Sequence, residues 1–89
     1  MTTVYAIVDE SGKMSSKSGI SSVSKPSTGT YLVNYATAFT QSPGVSATPW
    51  GSGTLCALNI FAENMCEVFV TDLKGTAVDG GFSFLAVGD

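Results

Sequence analysis

Trp50 is the only tryptophan in the chain, and it stands in Ala47-Thr-Pro-Trp-Gly-Ser-Gly53, bounded by proline and glycine. An aromatic ring on such a loop suits sugar recognition: its face packs on the apolar C–H side of a pyranose, while nearby hydroxyls and amides hydrogen-bond the sugar oxygens. Thr48 and Ser52 flank the ring and would supply hydroxyls. The same ring could instead cap a core or a subunit interface, and the sequence leaves both readings open. Tyr31 and Asn34, within Thr30–Tyr35, are the other candidates for ligand contact. Tyr31 shares a strand face with Tyr35, and both are expected half-buried with the hydroxyl at the rim. Asn34, like Asn59, carries an amide that both donates and accepts, although a strand amide needs no ligand to account for it.

Other chemistry is excluded or left without support. The chain has no His and no Arg, which removes imidazole catalysis, His–metal sites and arginine clamps on phosphate. Ser and Thr are abundant, but only a lysine could activate one as a nucleophile. Seven Asp plus Glu against four Lys give a net charge of −3, so no basic stripe can follow a nucleic-acid backbone. The carboxylates Asp9, Glu10, Glu63, Glu67, Asp72, Asp79 and Asp89 are scattered, mostly at turns. Asp72 and Asp79 flank one turn, but their spacing matches no calcium loop. A paired-carboxylate glycosidase would need a cleft that so small a domain has little room for. No enzyme, cofactor or metal site is expected.

The elements that must position these residues read as all-β. The strand candidates are Val4–Asp9, the polar Met14–Gly19, Ile20–Lys25, Thr30–Tyr35, Val45–Trp50, Leu55–Ala62, Cys66–Leu73 and Phe82–Gly88, separated by turn clusters such as Asp9–Lys13 and Pro26–Gly29. Phe39 is a core anchor in an irregular stretch. Seven or eight short strands at regular spacing predict a small antiparallel β-sandwich. Residues 1–18 read as an N-terminal strand and polar linker, and 19–89 as the sandwich domain.

The two cysteines are too far apart to bond. In the Leu55–Ala62/Cys66–Leu73 hairpin, placing Ala62 opposite Cys66 pairs Ile60 with Val68, Leu58 with Val70 and Cys56 with Asp72. Cys56 and Cys66 then lie about 20 Å apart, beyond disulfide reach. Two free, core-facing thiols are expected.

Composition adds a question of surface. Of the 89 residues, 44% are hydrophobic and only 12% charged, with 12 Ser and 10 Thr in their place. Several strands are apolar on both faces: Leu85 and Val87 oppose Phe82 and Phe84, and the hairpin carries Leu55, Phe61, Phe69 and Leu73 on its second face. A two-layer domain needs one apolar face per sheet, so the second face asks for another surface, most simply a copy of the same chain. No apolar run reaches the roughly 20 residues of a membrane helix. The start, MTTVYAIVDESGK, lacks the form of a secretory signal.

Gly29 to Gly88 resembles the C-terminal tip domains of bacteriophage tail fibres and related trimeric fibre adhesins of bacteria. The resemblance rests on Tyr31-Leu-Val-Asn-Tyr35, Phe39, Pro43-Gly-Val-Ser-Ala-Thr-Pro49, Leu58-Asn-Ile60, Phe69-Val-Thr-Asp72 and the closing Phe82-Ser-Phe-Leu-Ala-Val-Gly88. It implies a homotrimer, intertwined or packed on a three-fold axis, at an extracellular fibre tip on a phage virion or a bacterial surface. It implies binding to a cell-surface glycan or protein of a target cell, with no nucleic acid and no membrane insertion. A fibre-capping or trimerisation domain without ligand is the alternative.

Overall fold

Apolar residues at every second position require a strand with one face buried, and the chain obeys that rule through its centre. The computed structural model describes the backbone of residues 1–89 and the side chains of residues 1–59 and 62–89. Its strands are β1 (Thr2–Val8), β2 (Met14–Ser18), β3 (Ile20–Ser27), β4 (Thr30–Tyr35), β5 (Gly44–Pro49), β6 (Thr54–Ala62), β7 (Met65–Asp72) and β8 (Phe82–Gly88). They form two antiparallel four-stranded sheets, ordered β2-β1-β8-β5 and β3-β4-β7-β6. No helix occurs among the described residues, so none is long and apolar enough to cross a membrane. The expected all-β, two-sheet architecture is what forms.

The four inner strands build the core in the same way. Val4, Ala6 and Val8 of β1, Tyr31, Val33 and Tyr35 of β4, Cys66, Val68 and Val70 of β7, and Phe82, Phe84 and Ala86 of β8 are all buried. Each set is an alternate triplet, so the inner face of each sheet is continuous. Ile20 and Phe39 close the core at its margins. Tyr31 meets Phe82 edge-on at 5.2 Å between ring centroids, and Tyr35 meets Phe39 edge-on at 5.1 Å, the arrangement that aromatic quadrupoles favour.

The structure changes two expectations. Residues 1–18 do not form a separate lead-in: β1 pairs along its whole length with β8 and through Tyr5–Val8 with β2, at the centre of its sheet. The boundary at residue 18 instead marks where the chain passes from one sheet to the other through Gly19. The β6–β7 register is also displaced, by one residue at Ala62 and by two over Thr54–Asn59. Ala62 pairs with Met65, Leu58 with Val68 and Cys56 with Val70, because an irregularity between Asn59 and Ala62 absorbs the difference. A two-residue shift preserves facing, so Cys66 is buried and Cys56 half-buried, both as free thiols. The facings expected of Ile60 and Phe61 lie outside the described side chains. Finally, both sheets are complete within one chain. The surface of 4750 Å² is close to the roughly 4,900 Å² that a compact monomer of 9.1 kDa exposes.

Candidate functional site

The outward face of the first sheet follows from its inward one. With Phe82, Phe84 and Ala86 turned to the core, Ser83, Leu85 and Val87 must face solvent. The register then sets their neighbours in rows across the strands. Thr48, Ser83, Ile7 and Ser16 form one row, and Ser46, Leu85, Tyr5 and Ser18 the next. Gly44, Val87 and Thr3 form a third. Not one of these residues is charged.

Trp50 lies at the end of this face, where β5 passes beyond Pro49. Its backbone N–H donates to the Gly81 carbonyl at 3.0 Å, carrying the β5–β8 ladder one step further. Its indole Nε1–H donates to Ser83 Oγ at 3.2 Å. The ring rests on Gly81: a Cβ there would lie 2.6 Å from Cζ3 and closer still to Cε3. Only glycine leaves room for the indole to lie against the backbone. One face of the ring is thus packed and its N–H engaged, yet Trp50 is 43% exposed. The exposed surface is aromatic carbon, flanked by the hydroxyls of Thr48 and Ser83, with exposed Ser52 two residues on in the loop.

The other sequence candidates do not join it. Tyr31 is wholly buried rather than half-buried. Its hydroxyl donates to the Glu10 carbonyl at 2.6 Å and accepts from the Gly80 N–H at 3.2 Å, so it is a core tie. Burial pushes the Tyr31 phenol above its usual value, and that of Tyr35 further still. Asn34 lies on the second sheet, where its Nδ2 donates to Ser22 Oγ at 3.2 Å. Trp50, Thr48 and Ser52 therefore stay together, while Tyr31 and Asn34 belong to other parts of the molecule. The structure adds Ser83, Gly81, Leu85 and Tyr5, which sequence proximity to Trp50 could not reveal. Their signal was the Phe-Ser-Phe-Leu alternation of β8 read together with the strand pairing.

The acidic groups are taken up locally. Asp9 Oδ1 accepts from the Ser11 hydroxyl at 2.7 Å and from the Ser11 and Lys13 backbone N–H groups, each at 2.9 Å. The hydroxyl contact, followed by the Lys13 N–H, holds its carboxyl below the usual value. Asp72 Oδ1 caps its own turn through the N–H groups of Lys74 and Thr76. Asp79 accepts from Lys25 Nζ and from the Gly29 N–H, each at 2.9 Å, and Lys25 then Gly29 draw its carboxyl downwards. Asp72 and Asp79 thus serve separate structural contacts. No group of three or more metal-ligating side chains occurs among the described residues. No enclosed pocket occurs among the described residues, so a ligand of Trp50 would meet an open surface.

No protein-family model, curated protein or solved structure matches this chain. A functional reading therefore rests on the geometry of its surface.

Proposed function

We propose that this chain is a non-enzymatic adhesion module, the receptor-binding tip of a trimeric fibre displayed outside a phage or bacterium, which binds a cell-surface glycan or protein on a target cell. The observation that carries the reading is the posture of Trp50. Its polar edge is held by Ser83, its inner face is packed on Gly81, and aromatic carbon remains open beside hydroxyls. A ring that served only to fill the core would be enclosed; this one is held in place and left accessible. Three such surfaces on one axis, repeated over many fibres, would turn a weak single contact into firm adhesion.

A second reading, a structural cap or trimerisation unit without ligand, draws on the exposed aliphatic residues Leu55, Leu58 and Leu73. Trp50→Ala separates the two. Binding to a glycan array and to a panel of intact bacterial cells is measured alongside mass by light scattering. The adhesion reading expects a loss of binding of about ten-fold or more, the scale of one aromatic contact, with unchanged mass. Lost assembly, or no binding by the parent protein to any glycan or cell, favours the cap.

A further inference from the structure

We infer that the ligand of the first sheet's outer face is an extended, uncharged polysaccharide lying across Trp50, Ser83, Leu85 and Tyr5; this rests on the adhesion reading and narrows it to one chemical class. Three observations carry the inference.

The first is charge. The outward rows of this sheet hold hydroxyl, aromatic and aliphatic groups only. The nearest charges lie at the ends of these rows or on the other side of β2. Met1 and Asp89 pair at one end, 3.5 Å apart. Asp9 is occupied by Ser11 and Lys13 at the other. Lys17 pairs with inward-facing Ala6, on the opposite side of β2. A phosphorylated, sulfated or carboxylated polymer would meet no cation within these rows and would approach a chain of net charge −3. A neutral sugar matches such a face, because each Ser or Thr hydroxyl both donates to and accepts from sugar hydroxyls.

The second is the pair of exposed rings. Tyr5 and Trp50 are 41% and 43% exposed. Tyr5 is level with Leu85, four residues along β8 from Gly81 and two strands across from β5. From about 3.4 Å per residue and 4.8 Å per strand, the two aromatic positions lie on the order of 15 Å apart. One sugar ring cannot touch both, whereas a chain of them can.

The third is shape. A face without a pocket encloses no single sugar. Affinity must come from repeated shallow contacts, which a polymer supplies and a monosaccharide does not.

Trp50 is the sole tryptophan, so its fluorescence reports directly on this face. The intact protein is titrated with laminarin, mannan and dextran, and with alginate and dextran sulfate at low salt, while adhesion to bacterial cells is scored in parallel. At least one neutral polymer is expected to shift the Trp50 emission, and neither anionic one to do so; dextran against dextran sulfate is the matched comparison. Tyr5→Ala, which leaves the Trp50 loop intact, is expected to weaken polysaccharide binding about three-fold or more, and Trp50→Phe to retain more binding than Trp50→Ala. Binding confined to the anionic polymers overturns the inference, as does neutral-polymer binding that neither Tyr5→Ala nor Trp50→Ala weakens. Adhesion to cells with no response to any neutral polymer also overturns it, yet leaves the adhesion reading standing. Absence of both adhesion and polysaccharide binding removes the two together.

Discussion

Tyr31 and Tyr35 lie four residues apart on β4 with their rings in one core, but their hydroxyls fare differently. That of Tyr31 bonds Glu10 and Gly80, whereas that of Tyr35 is buried with no partner among the described residues. Removing a bonded buried group strands its partners, while removing an unbonded one relieves a desolvation cost. Tyr31→Phe should therefore destabilise the fold by about 1–3 kcal/mol, lowering the melting temperature by roughly 5 °C or more. Tyr35→Phe should leave stability unchanged or raise it; thermal unfolding of the two variants side by side checks both. The difference was illegible in the sequence, because residue type and alternation assign a facing but not the partner of a hydroxyl 49 positions away, as Gly80 is from Tyr31. Trp50, Thr48 and Ser52 were legible for the opposite reason: they are neighbours in one loop. Ser83 and Tyr5 reach the same face only through the pairing of β5, β8 and β1.

Two of the turns that join these elements share one solution. Asp9-Glu-Ser-Gly-Lys13 and Asp72-Leu-Lys-Gly-Thr76 both place Asp first and a glycine of positive φ fourth, at 90° for Gly12 and 88° for Gly75. In both, the Asp carboxylate accepts the N–H groups two and four residues on, while the glycine N–H donates to the Asp carbonyl. Such turns are readable from short-range composition, and most strand limits followed from them. The β6–β7 register did not follow, since nothing in Asn59–Ala62 announces an irregularity by residue type. Nor did the place of β1, whose neighbour β8 lies at the far end of the chain. The segment after the second turn is tied back by Asp79 to Lys25 and Gly29. Its folded carboxyl titrates below the ordinary 3.8, as does that of Asp9. A lowered folded value stabilises above the unfolded one and loses its effect as pH falls through the folded value. The melting temperature should accordingly decline below about pH 4, and Asp79→Asn should make that decline shallower; calorimetry between pH 2 and pH 7 tests the sign. A decline as steep in the variant as in the parent would remove Asp79 from the account.

For the whole molecule, the question is what covers the aliphatic residues that the two-layer core leaves outside. Unprotected sheet edges invite pairing, and proteins usually blunt them with lysine or proline. Three of the four edges here are blunted in that way: β2 carries Lys17, β3 carries Lys25 and Pro26, and β5 ends at Pro49. The fourth, β6, reads Thr-Leu-Cys-Ala-Leu-Asn-Ile-Phe-Ala, with no charge and no proline, and exposes Leu55 at 50% and Leu58 at 37%. Burying a leucine fully contributes about 1.5–3 kcal/mol, so contacts repeated around a symmetry axis would amount to a substantial share of a small domain's stability. An uncharged strand also meets a copy of itself without like-charge repulsion. Light scattering should then give a mass near 27 kDa, three times 9.1 kDa. Leu55→Glu should reduce it to that of one chain, because three carboxylates would be forced into an apolar contact. The variant's far-ultraviolet circular dichroism should be unchanged, since Leu55 lies outside the core. A parent protein already at 9.1 kDa at tens of micromolar would overturn the trimer and the fibre-tip reading with it, leaving the Trp50 face as the binding surface of a monomer.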